Sequence, residues 1–304
     1  MFAQSEMGGR NMNNGNVDSQ LIIKGTSYVG APKSHTVMYI SRKVENLLER
    51  LKGIEGSLIF IENGISVPDE FTKKNKFVFS DNPQREYAEY VVMFAKRKQE
   101  ENRKRSYTLS DEGVYIGENV IIGKGAYIEP DCLIDHDVII GKNAYIKSGV
   151  KIRNAVIGDD FIANENAVIG ADGFTMATDK DGNKFRIPTL GKVIIGNCVE
   201  VGALNNISAG TGGDTIIEDN VKLDALVHIG HDVQIKKNAE ITAGVVVGGF
   251  SVIGWEVFVG VNSTVRNRVE LEDACFVGMG SNVIRNVGAN EVVAGNPARF
   301  LKWK

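Results

Sequence analysis

The chain has 304 residues, of which 43% are hydrophobic and 24% are charged, and this composition excludes a generally disordered protein. A formal net charge of -3 excludes the basic surface needed to bind nucleic acid or an anionic membrane. Three separated cysteines and the lack of a long apolar run predict a cytoplasmic protein without disulfides, export signal or membrane span.

The first 106 residues divide into a tail and a small α/β domain. Residues 1–16 are polar and are predicted to be a disordered tail, and residues 17–106 are predicted to form the domain. Its strand and helix candidates follow at 36–41, 42–54, 57–62, 76–80 and from Pro83 onward. The charged run from Lys96 to Arg105 is more typical of a solvated helix end than of a phosphate-binding patch.

From residue 115 onward, an aliphatic residue recurs at every sixth position. The longest unbroken run has 12 such positions, from Ile217 to Val283. A period of six excludes an amphipathic helix, whose period is about 3.6, and a long two-sided strand, whose period is about 2. It predicts a parallel β-helix over residues 107–290, with three short faces in a coil of about 18 residues and each aliphatic inside. Residues 291–304 are left as a C-terminal tail.

The repeat is interrupted in two places, where a functional site is expected. Residues 171–190 form a polar 20-residue excursion, which is either a binding element or a flexible tip. The Gly-rich segment 208–215 is four residues longer than the repeat allows. It is a weak candidate for a phosphate cradle, because no helix follows it.

Two of the four histidines, His228 and His231, lie close together after the second interruption. His231 is predicted to point outward, and Gly249, which follows 18 residues later, is predicted to stack beside it. An imidazole base next to a bare main-chain N–H is the arrangement that acyl transfer requires. Metal binding is the less favoured alternative because no third ligand is indicated. His136 has the same phase in the repeat and represents an inert surface histidine.

The motifs Gly170-Ala-Asp-Gly-Phe174, residues 187–196, Gly213-Asp-Thr215 and the His231 segment, preceded by a small α/β domain, resemble the lipid A biosynthesis N-acyltransferases (UDP-3-O-acylglucosamine N-acyltransferases, LpxD). The resemblance extends over nearly the whole chain after residue 17. It implies a mainly β fold, with a left-handed parallel β-helix of hexapeptide repeats preceded by the small α/β domain, and a homotrimer.

The resemblance also implies site residues. His231 would be the general base, and Gly249 would supply the oxyanion N–H. Asp172 and Phe174 would contact the substrate, as would His228 and Asp232, which would orient the base or the sugar. The N-terminal domain would bind the nucleotide, with Tyr39 against the base.

Some positions depart from the family. Asp232 stands where the family usually has Asn. In this respect the chain resembles the related O-acyltransferases, which have Asp. Arg42 and Glu45 replace the Asn and Tyr that follow the nucleobase-contacting aromatic, and the C-terminal helices that dock acyl carrier protein are lacking. The segment Asn296-Pro297-Ala298 is similar to the tail of coenzyme A-dependent hexapeptide acetyltransferases, and equally suits a turn that closes the prism.

These features predict an enzyme that transfers an acyl group from a thioester to the amine of a nucleotide-linked amino sugar. The expected donor is acyl-CoA or acyl carrier protein, with short-chain acyl-CoA preferred, and no metal or tightly bound cofactor is expected. The alternative hypothesis is a non-catalytic β-helix scaffold that binds a sugar nucleotide. A bound metal dependent on His228 would instead indicate a metal-containing hexapeptide hydrolase.

Overall fold

The computed structural model describes residues 21–304, and the tail predicted at residues 1–16 lies outside that range. The chain forms two compact units that divide between Tyr87 and Ala88, within the helix Pro83–Asn102. No helix in the described range is long and apolar enough to cross a membrane.

The N-terminal unit contains a parallel sheet whose strands lie side by side in chain order. The strands are Gly25–Thr26, Thr36–Ile40, Leu58–Glu62 and Lys76–Ser80. Met38 and Ile59 lie on one face of the sheet, and both are fully buried because Leu48, Leu51 and Phe71 pack in the same core. The strand predictions are therefore confirmed within about one residue.

The first predicted helix is different in the structure. The segment Arg42–Leu51 is 3-10 helix, interrupted at Val44, whose φ of -125° and ψ of 17° are not helical. The apolar spacing is still satisfied, because Leu48 and Leu51 are buried and Val44 packs against the same core. A short helix, Asp69–Thr72, precedes the fourth strand, and the predicted helix at Pro83 is present.

The second unit contains three sheets, one for each face of a β-helix, and their strands are parallel except for the end strands Thr108–Leu109 and Arg299–Trp303. The first face is made of Ile121–Ile122, Ile139–Ile140, Ala155–Ile157, Val193–Ile195, Thr215–Ile217, Gln234–Ile235, Val252–Ile253 and Glu270–Leu271. The second face is made of Tyr127–Ile128, Tyr145–Ile146, Ile162–Ala163, Glu200–Val201, Lys222–Leu223, Glu240–Ile241, Phe258–Val259, Phe276–Val277, Glu291–Ala294 and Arg299–Trp303. The third face is made of Thr108–Leu109, Tyr115–Ile116, Leu133–Ile134, Lys151–Ile152, Val168–Ala171, Asn206–Ser208, His228–Ile229, Val246–Val247, Thr264–Val265 and Asn282–Val283.

The aliphatic positions of the repeat form the core of this β-helix, as the six-residue period predicts. Ile152, Ile169 and Ile229 are fully buried and stack in register on one face, although 38 residues separate some neighbouring strands. Cys132 and Cys275 also lie in this core, which makes them packing residues. Ile122 is 38% exposed because its strand is the first of its face and has a neighbour on one side.

The corners between faces use backbone conformations that most side chains avoid. Asn and Asp occupy many of these positions with φ near +60°, for example Asn119, Asp137 and Asn143. These residues tolerate the left-handed region because their short side chains can hydrogen-bond to nearby main chain. The glycines that follow the aliphatics, such as Gly117 and Gly123, have no room for a side chain, because an added Cβ atom would lie 2.6 Å and 2.4 Å from main-chain atoms of the next coil.

The two interruptions leave the sheets intact. The excursion at residues 171–190 begins after Gly170, whose φ is +84° and where a Cβ atom would lie 1.7 Å from the Arg153 carbonyl oxygen. The excursion folds into an antiparallel hairpin with strands Met176–Thr178 and Lys184–Arg186. It is therefore an ordered element that returns to the β-helix where it left it.

The C-terminal residues complete the second face. Glu291–Ala294 pairs in parallel with Phe276–Val277, and the chain then turns back to pair antiparallel through Arg299–Trp303. The turn is held by a hydrogen bond of 2.9 Å from the Ala298 N–H to the Asn282 carbonyl oxygen. Residues 295–298 are thus the hairpin turn that the sequence analysis gave as one of two interpretations.

Candidate active site

A pocket of about 510 Å³ lies where the hairpin meets the corner between the third and first faces. Both interruptions of the repeat and four successive coils contribute to its wall. Its lining residues are Ala171, Asp172, Phe174, Thr175, Met176, Asn206, Ser208, His228, Gly230, His231, Gly249, Phe250, Asn267 and Arg268. Five of the residues predicted for the site are therefore gathered here, namely Asp172, Phe174, His228, His231 and Gly249.

His231 is oriented by its neighbour in the chain, Asp232. The Nδ1 atom of His231 lies 2.7 Å from Oδ2 of Asp232, whose side chain is almost completely buried. Because a carboxylate can only accept, Nδ1 carries the proton of this hydrogen bond. In this tautomer Nε2 carries the lone pair that faces the pocket, which is what a general base needs.

Asp232 is itself held by the Gly-rich segment. The N–H groups of Thr211 and Gly212 donate to its carboxylate oxygens at 2.9 Å and 3.0 Å. The N–H of Asp232 donates to Thr215 Oγ1 at 2.9 Å. Two main-chain donors of residues 208–215 thus bind a carboxylate of the chain itself, which corrects the phosphate-cradle interpretation of this segment.

Gly249 lies directly against the imidazole, as the 18-residue stacking predicts. A Cβ atom on Gly249 would be 2.9 Å from His231 Nε2. The flanking N–H groups of Gly248 and Phe250 donate to Val265 and His231 carbonyl oxygens. The Gly249 N–H has no acceptor within residues 21–304, so it is available to a ligand oxygen.

A hydroxyl group from the hairpin occupies the Nε2 side of the base. Thr175 Oγ1 is 3.1 Å from His231 Nε2 and 3.4 Å from Thr211 Oγ1. Because Nδ1 holds the ring proton, Nε2 is an acceptor; the Thr175 hydroxyl can donate its single proton either to Nε2 or to Thr211 Oγ1, and Nε2 is the nearer of the two. Sequence analysis missed Thr175, since the residues of an excursion have no phase in the repeat.

Aromatic and cationic groups surround the base. The Phe250 ring meets the His231 imidazole edge to face at 5.2 Å, and the Arg268 guanidinium lies 4.3 Å above the Phe250 ring. Arg186 lies 5.2 Å from the Phe174 ring centroid, so a second guanidinium stands near the mouth of the pocket. Burial, and secondarily repulsion from His231, lowers the pKa of His228, so His228 contributes a neutral imidazole to the wall.

The other predicted site residues lie elsewhere. Tyr39 belongs to the N-terminal unit, where its ring centroid is 5.2 Å from that of Tyr87. Asn296, Pro297 and Ala298 form the C-terminal hairpin turn and do not line the pocket. Within residues 21–304, no group of three or more His, Cys, Asp or Glu side chains is placed to hold a metal ion.

His136 is not the inert surface residue that the sequence analysis expected. Its side chain is only 5% exposed, and its Nδ1 accepts the N–H of Glu118 at 2.8 Å. Its ring also packs against Tyr107, with centroids 4.6 Å apart. His136 therefore packs against Tyr107 and caps the corner at Glu118, which lies one coil earlier in the chain.

Comparison with known proteins finds a matching family and several curated relatives. The family "Bacterial transferase hexapeptide (six repeats)" matches residues 119–154 and 214–249. UDP-3-O-acylglucosamine N-acyltransferase 2 of Legionella pneumophila (strain Paris) is 40% identical over 163 residues, which are 50% of this chain and 47% of the relative. The UDP-3-O-acylglucosamine N-acyltransferase of Rickettsia akari is 40% identical over 155 residues, covering 51% and 44%.

A similar fold is found among solved structures. The UDP-N-acetylglucosamine O-acyltransferase (LpxA) of Moraxella catarrhalis superposes with a TM-score of 0.57 and 26% identity, over 63% of this chain and 73% of that one. The chain spans about half the length of the curated relatives that it matches, so the alignment is narrower than the nearly whole-chain resemblance that the motifs suggested. Two segments of the chain thus match the hexapeptide-repeat family, and over half its length the chain is similar to the UDP-3-O-acylglucosamine N-acyltransferases.

Proposed function

We propose that this protein transfers an acyl group from a thioester to the amine of a nucleotide-linked amino sugar. The proposal rests on the arrangement around His231, whose Nδ1 is bound to the buried Asp232 and whose Nε2 lies beside Gly249. Among residues 21–304, the Gly249 N–H has no acceptor. The names of the relatives favour such an N-acyltransferase over a non-catalytic scaffold.

The reaction follows from this geometry. The sugar amine attacks the thioester carbonyl, and Nε2 of His231 takes the proton that the amine loses. The carbonyl oxygen becomes an oxyanion that accepts the N–H of Gly249. The C–S bond then breaks, the thiolate receives the proton from Nε2, and an amide and a free thiol leave. Asp232 keeps the ring in the required tautomer and stabilises its transient positive charge.

The surroundings of the pocket suit such substrates. Arg268 and Arg186 bring two fixed positive charges to the region of the pocket, where the phosphates of a nucleotide sugar or of the thioester donor would be favoured. Phe174, which is 73% exposed, offers a flat apolar surface at the same mouth. We assign the nucleotide base to the N-terminal domain with Tyr39 as its contact, and the donor to the class of acyl-CoA or acyl carrier protein.

The quaternary state belongs to the same proposal. Outward residues of the early coils are exposed and apolar, including Ile121, Tyr127 and Ile139. A homotrimer would cover such residues, which is consistent with the expected assembly. Light scattering of the purified protein tests it, and a monomeric mass would contradict it.

The activity is tested by mass spectrometry on the purified protein with UDP- and dTDP-linked amino sugars. Acetyl-CoA is the donor in one series and 3-hydroxyacyl carrier protein in the other. A new amide product from either donor, lost in His231→Ala, is the expected result, with a rate loss of about 10² to 10⁴. An unchanged rate in His231→Ala would contradict the assignment of the base, and binding of sugar nucleotide without turnover would favour the scaffold.

A further inference from the structure

We propose that Thr175 guards the general base, keeping water away from His231 until the acceptor amine arrives. The observation behind this is the hydrogen bond of 3.1 Å between Thr175 Oγ1 and His231 Nε2. It occupies the lone pair that the incoming nucleophile must use. The inference rests on the proposed function, because it concerns the fate of a bound thioester.

The main chain around Thr175 is fixed on both sides. The Gly173 N–H donates to Thr189 Oγ1 at 2.8 Å, and the Ile187 N–H donates to the Thr175 carbonyl oxygen at 2.8 Å. These two bonds close the base of the hairpin, so the backbone of Thr175 is held next to the imidazole. Only its side chain needs to rotate for the hydroxyl to leave Nε2.

Gly173 strengthens this placement by packing flat against the base. A Cβ atom at Gly173 would lie 2.8 Å from His231 Cβ and 2.9 Å from Thr211 Oγ1. The hairpin therefore lies against one side of the His231 side chain. Nε2 itself faces the pocket, and there the Thr175 hydroxyl holds the position that a hydrogen-bonded water molecule would otherwise take.

Three groups compete for Nε2, namely the Thr175 hydroxyl, a water molecule and the amine of the bound sugar. A tethered hydroxyl is already in position, so it excludes a free water molecule that would have to be immobilised there. A bound sugar amine is equally well positioned, and a single neutral hydrogen bond is weak enough to be exchanged for another. The amine can therefore displace the hydroxyl, whereas solvent water does not.

The step that is suppressed is hydrolysis of the donor. A water molecule at Nε2 would lose a proton to His231 and attack the thioester carbonyl. The C–S bond would break, the thiolate would take the proton back, and the products would be a carboxylic acid and a free thiol. The Gly249 N–H would stabilise the oxyanion of hydrolysis as well as that of amide formation. Hydrolysis can therefore be suppressed only by keeping water from acting as the nucleophile, which is the role proposed for Thr175.

The test compares acceptor-free thioester consumption in the wild type, Thr175→Ala and Thr175→Ser, with acetyl-CoA and 3-hydroxyacyl carrier protein as probes. Removing the hydroxyl admits water to the base, so Thr175→Ala is expected to raise hydrolysis about tenfold or more. Thr175→Ser keeps the hydroxyl and is expected to restore the low rate. Thr189→Ala removes the hydrogen bond from the Gly173 N–H and so loosens the base of the hairpin. This second variant is also expected to raise the rate of hydrolysis.

A second readout separates this role from a purely structural one. The amount of amide formed per thioester consumed, measured with UDP-3-O-acylglucosamine as acceptor, should fall in Thr175→Ala, whereas simple loss of folded enzyme would leave that ratio unchanged. Slower hydrolysis in Thr175→Ala would mean that the hydroxyl assists hydrolysis and would overturn the proposal, as would equal rates in all variants. If Thr175→Ala hydrolyses the thioester faster but the wild type forms no amide, the role of Thr175 is supported and the proposed acceptor is rejected.

Discussion

The Nδ1 atom of His136 accepts the main-chain N–H of Glu118, which lies one coil earlier on the same corner, at 2.8 Å. His231 has the same phase in the repeat, but its Nδ1 is bound to the side chain of Asp232. The two imidazoles are therefore used in opposite ways. One accepts a main-chain donor and caps the corner, and the other donates to a carboxylate and keeps Nε2 for the pocket.

His136→Ala should lower stability and leave acyl transfer unchanged. It removes the acceptor of a partly buried N–H and the packing of the ring against Tyr107, which together should cost about 1 to 3 kcal/mol of unfolding free energy. Denaturant unfolding measures the loss, and turnover of the folded variant is the control. Lost turnover in a folded His136→Ala protein would show that the pocket is not the only histidine-dependent site.

Gly249→Ala should lower turnover with little loss of stability. Its added methyl group would meet His231 Nε2 at 2.9 Å and displace the ring, and a shift of this kind costs about a hundredfold in rate. Gly25→Ala is a suitable control, because a Cβ atom there meets nothing within 4 Å. Steady-state kinetics with a saturating donor measure the effect, and normal kcat in Gly249→Ala would argue against the assigned oxyanion position.

Asp232→Ala should lower kcat about 10² to 10⁴ times, because no side-chain oxygen then accepts the Nδ1 proton of His231. It should also reduce stability, since the Thr211 and Gly212 N–H groups lose their charged acceptor. Asp224→Ala, at an exposed position, is the matched control. If kcat survives while only the melting temperature falls, Asp232 has a structural role alone.

The start of the second unit should carry a pH-dependent stabilisation. Arg105 contacts Asp137 at 2.5 Å, and this hydrogen bond to the guanidinium lowers the pKa of the Asp137 carboxyl to about 2. Since the folded pKa is lowered, the stabilisation is complete above the unfolded value of about 3.9 and disappears as the pH falls through about 2. The Asp137 carboxylate is half exposed, so screening keeps the contribution below about 1 kcal/mol.

Unfolding of the wild type and Arg105→Met between pH 2 and 6 measures this stabilisation. The difference between the two proteins should be largest near pH 6 and smallest at pH 2. Lys124→Met, which removes another exposed cation, is the control and should show no such trend. A difference that grows as the pH falls would contradict the assigned pair.

The sequence predicted the β-helix well because its core depends on one repeated position. Ile146, Ile152 and Ile229 are buried for the same reason, and a six-residue period is enough to find them. The 18-residue coil likewise predicts that Gly249 stacks on His231. The Asn and Asp residues with positive φ at the corners recur with the same six-residue period and could have been identified from it.

Other parts of the site depend on contacts that no period encodes. Thr175 reaches His231 only because the excursion folds into a hairpin and returns, a path that depends on Gly170, Gly173 and Thr189 together. The Gly-rich segment serves Asp232 for a similar reason, since its N–H groups point inward in the folded loop. Local sequence does not reveal which partner such groups will meet.

The stacking of the coils also determines how the second unit should respond to force. In the region after Ile217, where neighbouring strands are 18 residues apart, each coil is hydrogen-bonded only to the coils before and after it. Tension applied at the C-terminal end should therefore peel coils away one at a time, and each should release about 60 Å of contour length. The extension trace would then be a ladder of nearly equal steps, interrupted by a longer one where the chain carries the hairpin.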